Sequence, residues 1–160
     1  MEALSALAAG LEASPLGAWV RGSAIGYPLA NLLHLLGLIL LLGGIGLMDL
    51  RLAGLFRRLP VAALSQVLIP AAMLGLALLV ASGTMMFAAD AQPLLRSTVF
   101  RWKLLAIGLA LLNVAAFHAL WGRRFEDWDR RAGILARFMA AGSLLLWLSA
   151  ATLGCLIAYA

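Results

Sequence analysis

Charge is scarce in this sequence, and so are the side chains that usually carry chemistry. Only 12% of the residues are Asp, Glu, Lys or Arg, and there are two histidines and one cysteine. The single cysteine, Cys155, excludes an internal disulfide and a cysteine-rich metal site. No Gly-rich phosphate loop occurs, and no nucleophile stands at catalytic spacing from a base. The carboxylates Asp49 and Asp90 fall at opposite rims instead of forming a pair at membrane depth. The sequence therefore offers little for hydrolytic or phosphoryl-transfer catalysis.

What is abundant is hydrocarbon. Of the 160 residues, 64% are hydrophobic, and the mean hydropathy is +1.02. A water-soluble domain of this length is not composed that way. The expected fold is all-α: an integral membrane four-helix bundle with a short N-terminal interfacial helix, a single transmembrane domain over residues 1–160. The length leaves room for about four spans of roughly 20 residues. They are read at about 28–50, 61–87, 99–121 and 132–158, after an interfacial segment 1–27.

Residues 2–13 suit a short amphipathic surface helix. Ser14-Pro15 marks a break and a new helix start. Glu2 and Glu12 stand where a secretory signal would be basic, so the first span is expected to remain in the mature protein. Pro70 sits inside span 2 and frees a carbonyl that neighbours must satisfy. The net charge of +5 does not point to nucleic acid, because the basic residues lie mostly in span connections. Seven of them (Arg51, Arg57, Arg58, Arg123, Arg124, Arg130, Arg131) follow spans 1 and 3, against four (Arg21, Arg96, Arg101, Lys103) on the other side. The excess marks the cytoplasmic side and puts both termini outside. Asp49, Arg51 and Arg137 read as an ion-pair cluster at the cytoplasmic rim.

Depth decides which polar groups meet. His34 lies about six residues into span 1, roughly 9 Å below its outer end. Lys103 lies at nearly the same depth in the parallel span 3. His118 is about 22 Å further along that span, so the two histidines cannot share one haem. His34 and Lys103 can share one pocket near the outer face, and Met85 and Met86 come to a similar level from span 2. An ionisable side chain at membrane depth is a functional candidate by default. Imidazole, amine and thioether can each ligate haem iron, and His with Met can hold copper. Plainer roles stand beside these. His34 can hydrogen-bond across helices, Lys103 can snorkel to the interface, and the methionines can simply pack.

The chain resembles the four-span membrane family of HemJ-type protoporphyrinogen oxidases and, more distantly, CopD-type copper-resistance membrane proteins. Span 1 has a histidine near its start, Gly44 ten residues later and the pair Arg51-Leu52. Span 2 has IPAAMLGLALLVASG over 69–83, and span 3 opens on Trp102-Lys103 and later has His118 and Gly122-Arg123. The likeness covers spans 1 to 3. It implies b-type haem with His34 and Lys103 as axial ligands. The Asn-Glu-any-Pro motif that the HemJ type has early in span 4 is absent from Ala136 to Ser143 (ARFMAAGS). The resemblance is therefore to a branch of the family without that motif, and the expected location is the bacterial inner membrane with periplasmic termini.

The expected function is a haem-b membrane protein with a redox or electron-transfer role, an oxidoreductase if it is an enzyme, working alone or within a larger complex. The alternatives are copper handling at an outer-face site of His34, Met85 and Met86, and a cofactor-free structural subunit. Expected partners are the lipid bilayer, other membrane proteins or a second copy of the chain.

Overall fold

A run of 20 or more apolar residues in lipid has to bond its own backbone, and the α-helix does this within one segment. The computed structural model describes residues 2–122, 128–131 and 133–159. Arg123 and Arg124, counted above among the basic connections, lie outside them. The described residues form no strand. Two short helices, α1 (Glu2–Glu12) and α2 (Pro15–Gly22), precede the long α3 (Gly26–Ala53). Then come α4 (Val61–Ala89), the short α5 (Ala91–Arg96), α6 (Thr98–Trp121), the single turn α7 (Trp128–Arg131) and α8 (Ile134–Leu156). A 3₁₀ turn at Ile157–Tyr159 continues α8. Four helices, α3, α4, α6 and α8 with its final turn, are long and apolar enough to cross a membrane. Leu32, Ile39, Val67, Leu112, Phe138 and Leu145 stand exposed on their outer faces, which lipid and not water would accept. The chain is a multi-pass membrane protein of the all-α bundle class.

Local chemistry fixes the helix ends. Ser14 caps α2 by accepting from the Gly17 N–H at 3.2 Å, with Pro15 in the first turn. Ser97 caps α6 by accepting from Phe100 N–H. Past α3, Gly54 adopts φ +116°, and the Gly54 and Leu55 N–H groups return to the Arg51 and Leu50 carbonyls, a Schellman closure. The connection after α4 coils into α5. Pro93 falls in its first turn, where a missing N–H is tolerated.

The helices pack in antiparallel pairs: α3 with α4, α3 with α8, and α6 with α8. Small residues set the α3–α4 distance. A Cβ on Gly44 would stand 2.6 Å from the Leu68 carbonyl oxygen, and one on Gly75 would stand 2.5 Å from the Leu41 nitrogen. Such approach is the usual way for helices to associate where lipid removes the hydrophobic drive. Leu41, Ala72, Ala110 and Trp147 form a mid-bundle core, and Met48, Leu52, Val61, Trp128, Ala136 and Ala140 a second one toward the α3–α4 turn.

At that turn Arg51 is 1% exposed and fully engaged. Its Nε donates to the Leu59 carbonyl at 2.7 Å, and its Nη2 donates to the Arg57 carbonyl at 3.2 Å. Both Nη atoms also donate to the Asp129 carboxylate, at 3.0 and 2.6 Å. The sequence reading joined Arg51 to Asp49. Two residues along a helix is a rotation of about 200°, so Asp49 turns to α8 while Arg51 turns to α7.

At the opposite end, α1 and α2 are tied to the start of α5. Arg21 donates to the Ala89 and Glu12 carbonyls at 3.0 and 2.8 Å. The Glu12 carboxylate accepts from the Gln92 backbone N–H at 2.7 Å and from its side-chain amide at 2.8 Å. The backbone N–H of Gln92 is the main influence holding the Glu12 carboxyl below its ordinary range.

Two predictions come from this packing. Gly44→Leu should lower thermal stability in detergent by an amount equivalent to about 1–3 kcal/mol, whereas Gly43→Leu, with open space at its Cβ position, should be nearly neutral. Circular dichroism melting measures both, and equal melting curves would contradict the close crossing. The hydrogen bond from Arg51 holds the Asp129 carboxyl below its ordinary 3.8. The ion pair therefore contributes above that pH, and its contribution is lost as pH falls through the lower, folded value. Because the Asp129 side chain is 48% exposed, Asp129→Asn should remove only about 1 kcal/mol at neutral pH and abolish this acid-dependent part, read from melts across pH.

Candidate functional site

His34 belongs to the stripe of α3 that carries Gly37, Leu41 and Gly44, the face laid against α4. Opposite it on α4 are Ser82 and Gly83. His34 Nδ1 lies 2.9 Å from Ser82 Oγ. Ser82 is fully buried, and its hydroxyl donates back to the Leu78 carbonyl at 2.6 Å. A serine hydroxyl has one proton. With that proton on Leu78, Ser82 accepts from His34, so the ring carries its hydrogen on Nδ1 and Nε2 has a free lone pair. This tautomer follows from the bonding network. The ring lies over Gly83, where a Cβ would be 3.4 Å from His34 Cε1.

Lys103 enters from α6, half-buried, and lies along α8. A Cβ on Gly154 would stand 3.3 Å from its Nζ and 3.5 Å from its Cε. The Lys103 amine makes no hydrogen bond or ion pair with any described residue. His34 and Lys103 are close enough to interact electrostatically, without bonding to each other. The structure therefore brings the two to the same end of the bundle, one reaching from the α3–α4 pair and the other from the α6–α8 pair. Cys155, exposed, lies near the amine.

Met85 and Met86 are half-buried, three and four residues beyond Ser82 on α4. That places them about one turn further toward the end of α4, on Ser82's side of the helix. His118 is exposed at the far end of α6, against Gly122. It does not share a site with His34. Among the described residues no group of three or more His, Cys, Asp and Glu could hold a metal ion.

Sequence reasoning did not find Ser82 as the partner of the imidazole. A signal was available. His34 is 19 residues before the end of α3 and Ser82 is 21 residues after the start of α4. Residues equidistant from an antiparallel turn meet across it. Nor did it find the buried polar atoms of Asp49 and Ser143, toward the α3–α4 turn, or that of Trp147 in the mid-bundle core.

No known protein family, curated protein or solved structure matches the chain.

Nitrogen-15 spectra of ring-labelled protein should show His34 protonated at Nδ1 and bare at Nε2. In Ser82→Ala the acceptor is gone and the spectra should show a tautomer mixture. An Nε2-protonated ring in the wild type would reverse the reading of the network.

Proposed function

We propose that the chain is a haem-b-binding membrane protein with an electron-transfer role, in which His34 Nε2 and the Lys103 amine would hold the haem iron. The observation that carries this reading is the imidazole whose Nδ1–H is committed to Ser82, so that Nε2 keeps a free lone pair. Metal-bound histidines are held in this way, with the second nitrogen donating to a neighbour that fixes tautomer and orientation. The donor set fits the group: an imidazole with a free lone pair at one side and an unpaired amine at the other. Gly83 and Gly154 keep side-chain bulk away from both. The resemblance of spans 1 to 3 to the HemJ-type family supports the same pair. Bound haem b would supply one-electron chemistry at its iron.

The chain's own residues do the rest. Ser82 stops the ring from turning, and the α3–α4 crossing at Gly37 and Gly75 fixes the height at which the ring stands. The half-burial of both donors would limit water at a bound haem and shape its potential. By the excess of arginines after spans 1 and 3, the site belongs at the periplasmic side of a bacterial inner membrane, with electrons exchanged to a membrane partner.

The test is an absorption spectrum of protein purified from haem-replete cells. A Soret band is expected, lost in His34→Ala and shifted in Lys103→Met. Ser82→Ala should weaken haem retention about 10–100-fold. Colourless wild-type protein overturns the reading. Copper retained in its place, and lost in the Met85→Ala/Met86→Ala double variant, would transfer the site to copper.

A further inference from the structure

From the α3–α4 turn to the middle of the bundle runs a second set of polar side chains, several of whose buried atoms have no close hydrogen-bond partner among the described residues. Asp49 on α3 is 6% exposed, and Ser143 and Trp147 on α8 are 3% and 4% exposed. Asp49 Oδ2, Ser143 Oγ and Trp147 Nε1 are buried without a partner among the described residues, and so is Arg137 Nε. These four atoms are not scattered. Ser143 and Trp147 are four residues apart and so stack on one face of α8. Arg137 lies about 9 Å nearer the α3–α4 turn. The level is fixed by neighbours: Gly46 of α3 meets Leu144 of α8, and Gly54 lies beside the Arg137 guanidinium. Asp49 is therefore level with the stretch between Arg137 and Ser143, and it interacts with Ser143.

The donor pattern identifies the ligand. Asp49 Oδ2 needs a donor, Trp147 and Arg137 need acceptors, and Ser143 can be either. A metal cation would satisfy the carboxylate and repel the two N–H groups. Water both donates and accepts, and polar buried sites of this kind hold it. Water in contact with a carboxylate at membrane depth is a path for protons.

We propose that Asp49 is a proton-loading carboxyl, reached from the α3–α4 turn through water held on Arg137 Nε, with Ser143 Oγ and Trp147 Nε1 holding water on its deeper side. In the loading step a hydronium ion gives its proton to the Asp49 carboxylate, leaving neutral carboxylic acid and water; release is the reverse. The charged groups at the same end of the bundle are Arg51 on its own helix, Asp129 on α7, Arg137 on α8, and Arg57 and Arg58 in the 54–60 connection, of which Arg51, Arg57 and Arg137 act on Asp129. The first turns of α4 bring no ionisable side chain. The site is independent of the haem reading, since Asp49 lies fifteen residues, about 22 Å, from His34 along α3.

Infrared spectroscopy of the purified protein in lipid nanodiscs, titrated with acid and base, tests this. A carboxylic-acid carbonyl band should grow as pH falls, shift down in heavy water and vanish in Asp49→Asn. In Ser143→Ala its frequency should move, because the hydrogen-bonding water has lost an anchor. If Asp49→Asn does not fold, Asp49→Glu replaces it, and the band should then move in frequency and persist. No band dependent on residue 49 between about pH 4 and 10, an unchanged frequency in Ser143→Ala, or a band that follows sodium concentration at fixed pH would each overturn the proposal.

Discussion

A polar atom in hydrocarbon has no solvent to turn to, so it must be satisfied within the chain. Most of the described hydroxyls obey by the shortest route. Thr84 donates to Val80, Ser149 to Leu145 and Thr152 to Leu148, each to the carbonyl four residues earlier. Asn113 reaches across from α6 to the Met139 carbonyl of α8 and so ties that pair together. Set against this rule, the side chains that do not close their own bonds are few. They gather at two heights, His34 and Lys103 at one end and Asp49 and Ser143 toward the other, with Trp147 in the layer between.

The same constraint explains how the two heights are kept apart. The α3–α4 contact is nearly backbone on backbone at Gly37, Gly44 and Gly75, and neither helix can slide by a turn without driving a side chain into the other. Leu41 and Trp147, with Ala72 and Ala110, fill the layer between. Tight packing fixes the axial register, and the fixed register holds His34 opposite Ser82. One hydroxyl then decides which nitrogen of the imidazole is a base. Backbone approach thus has a chemical consequence some three turns away.

The fold class was legible because four long apolar runs in 160 residues leave few alternatives. The break at Ser14-Pro15 was legible for the same local reason, a cap followed by a residue with fixed φ. The common end of His34 and Lys103 was readable too, since depth in a helix is a count of residues. Rotation about the axis is not such a count. Ser82 could be seen as a small residue near a kinked span, but not as the group facing an imidazole. Arg51 likewise gave no sign that its partner was 78 residues away and not two. Asp49 looked like rim charge because its neighbours in sequence are charged, although the α8 side chain it interacts with is the Ser143 hydroxyl.

The Arg51 network also orders events in biogenesis. Two of the carbonyls it engages, those of Arg57 and Leu59, belong to its own hairpin, and only Asp129 comes from much later in the chain. An inserted α3–α4 hairpin can shelter most of that guanidinium before the ribosome has made α7. The carboxylate then arrives as a latch that joins the early half of the protein to the late half. A chain truncated before residue 129 would keep its first hairpin and lack the means to fasten it.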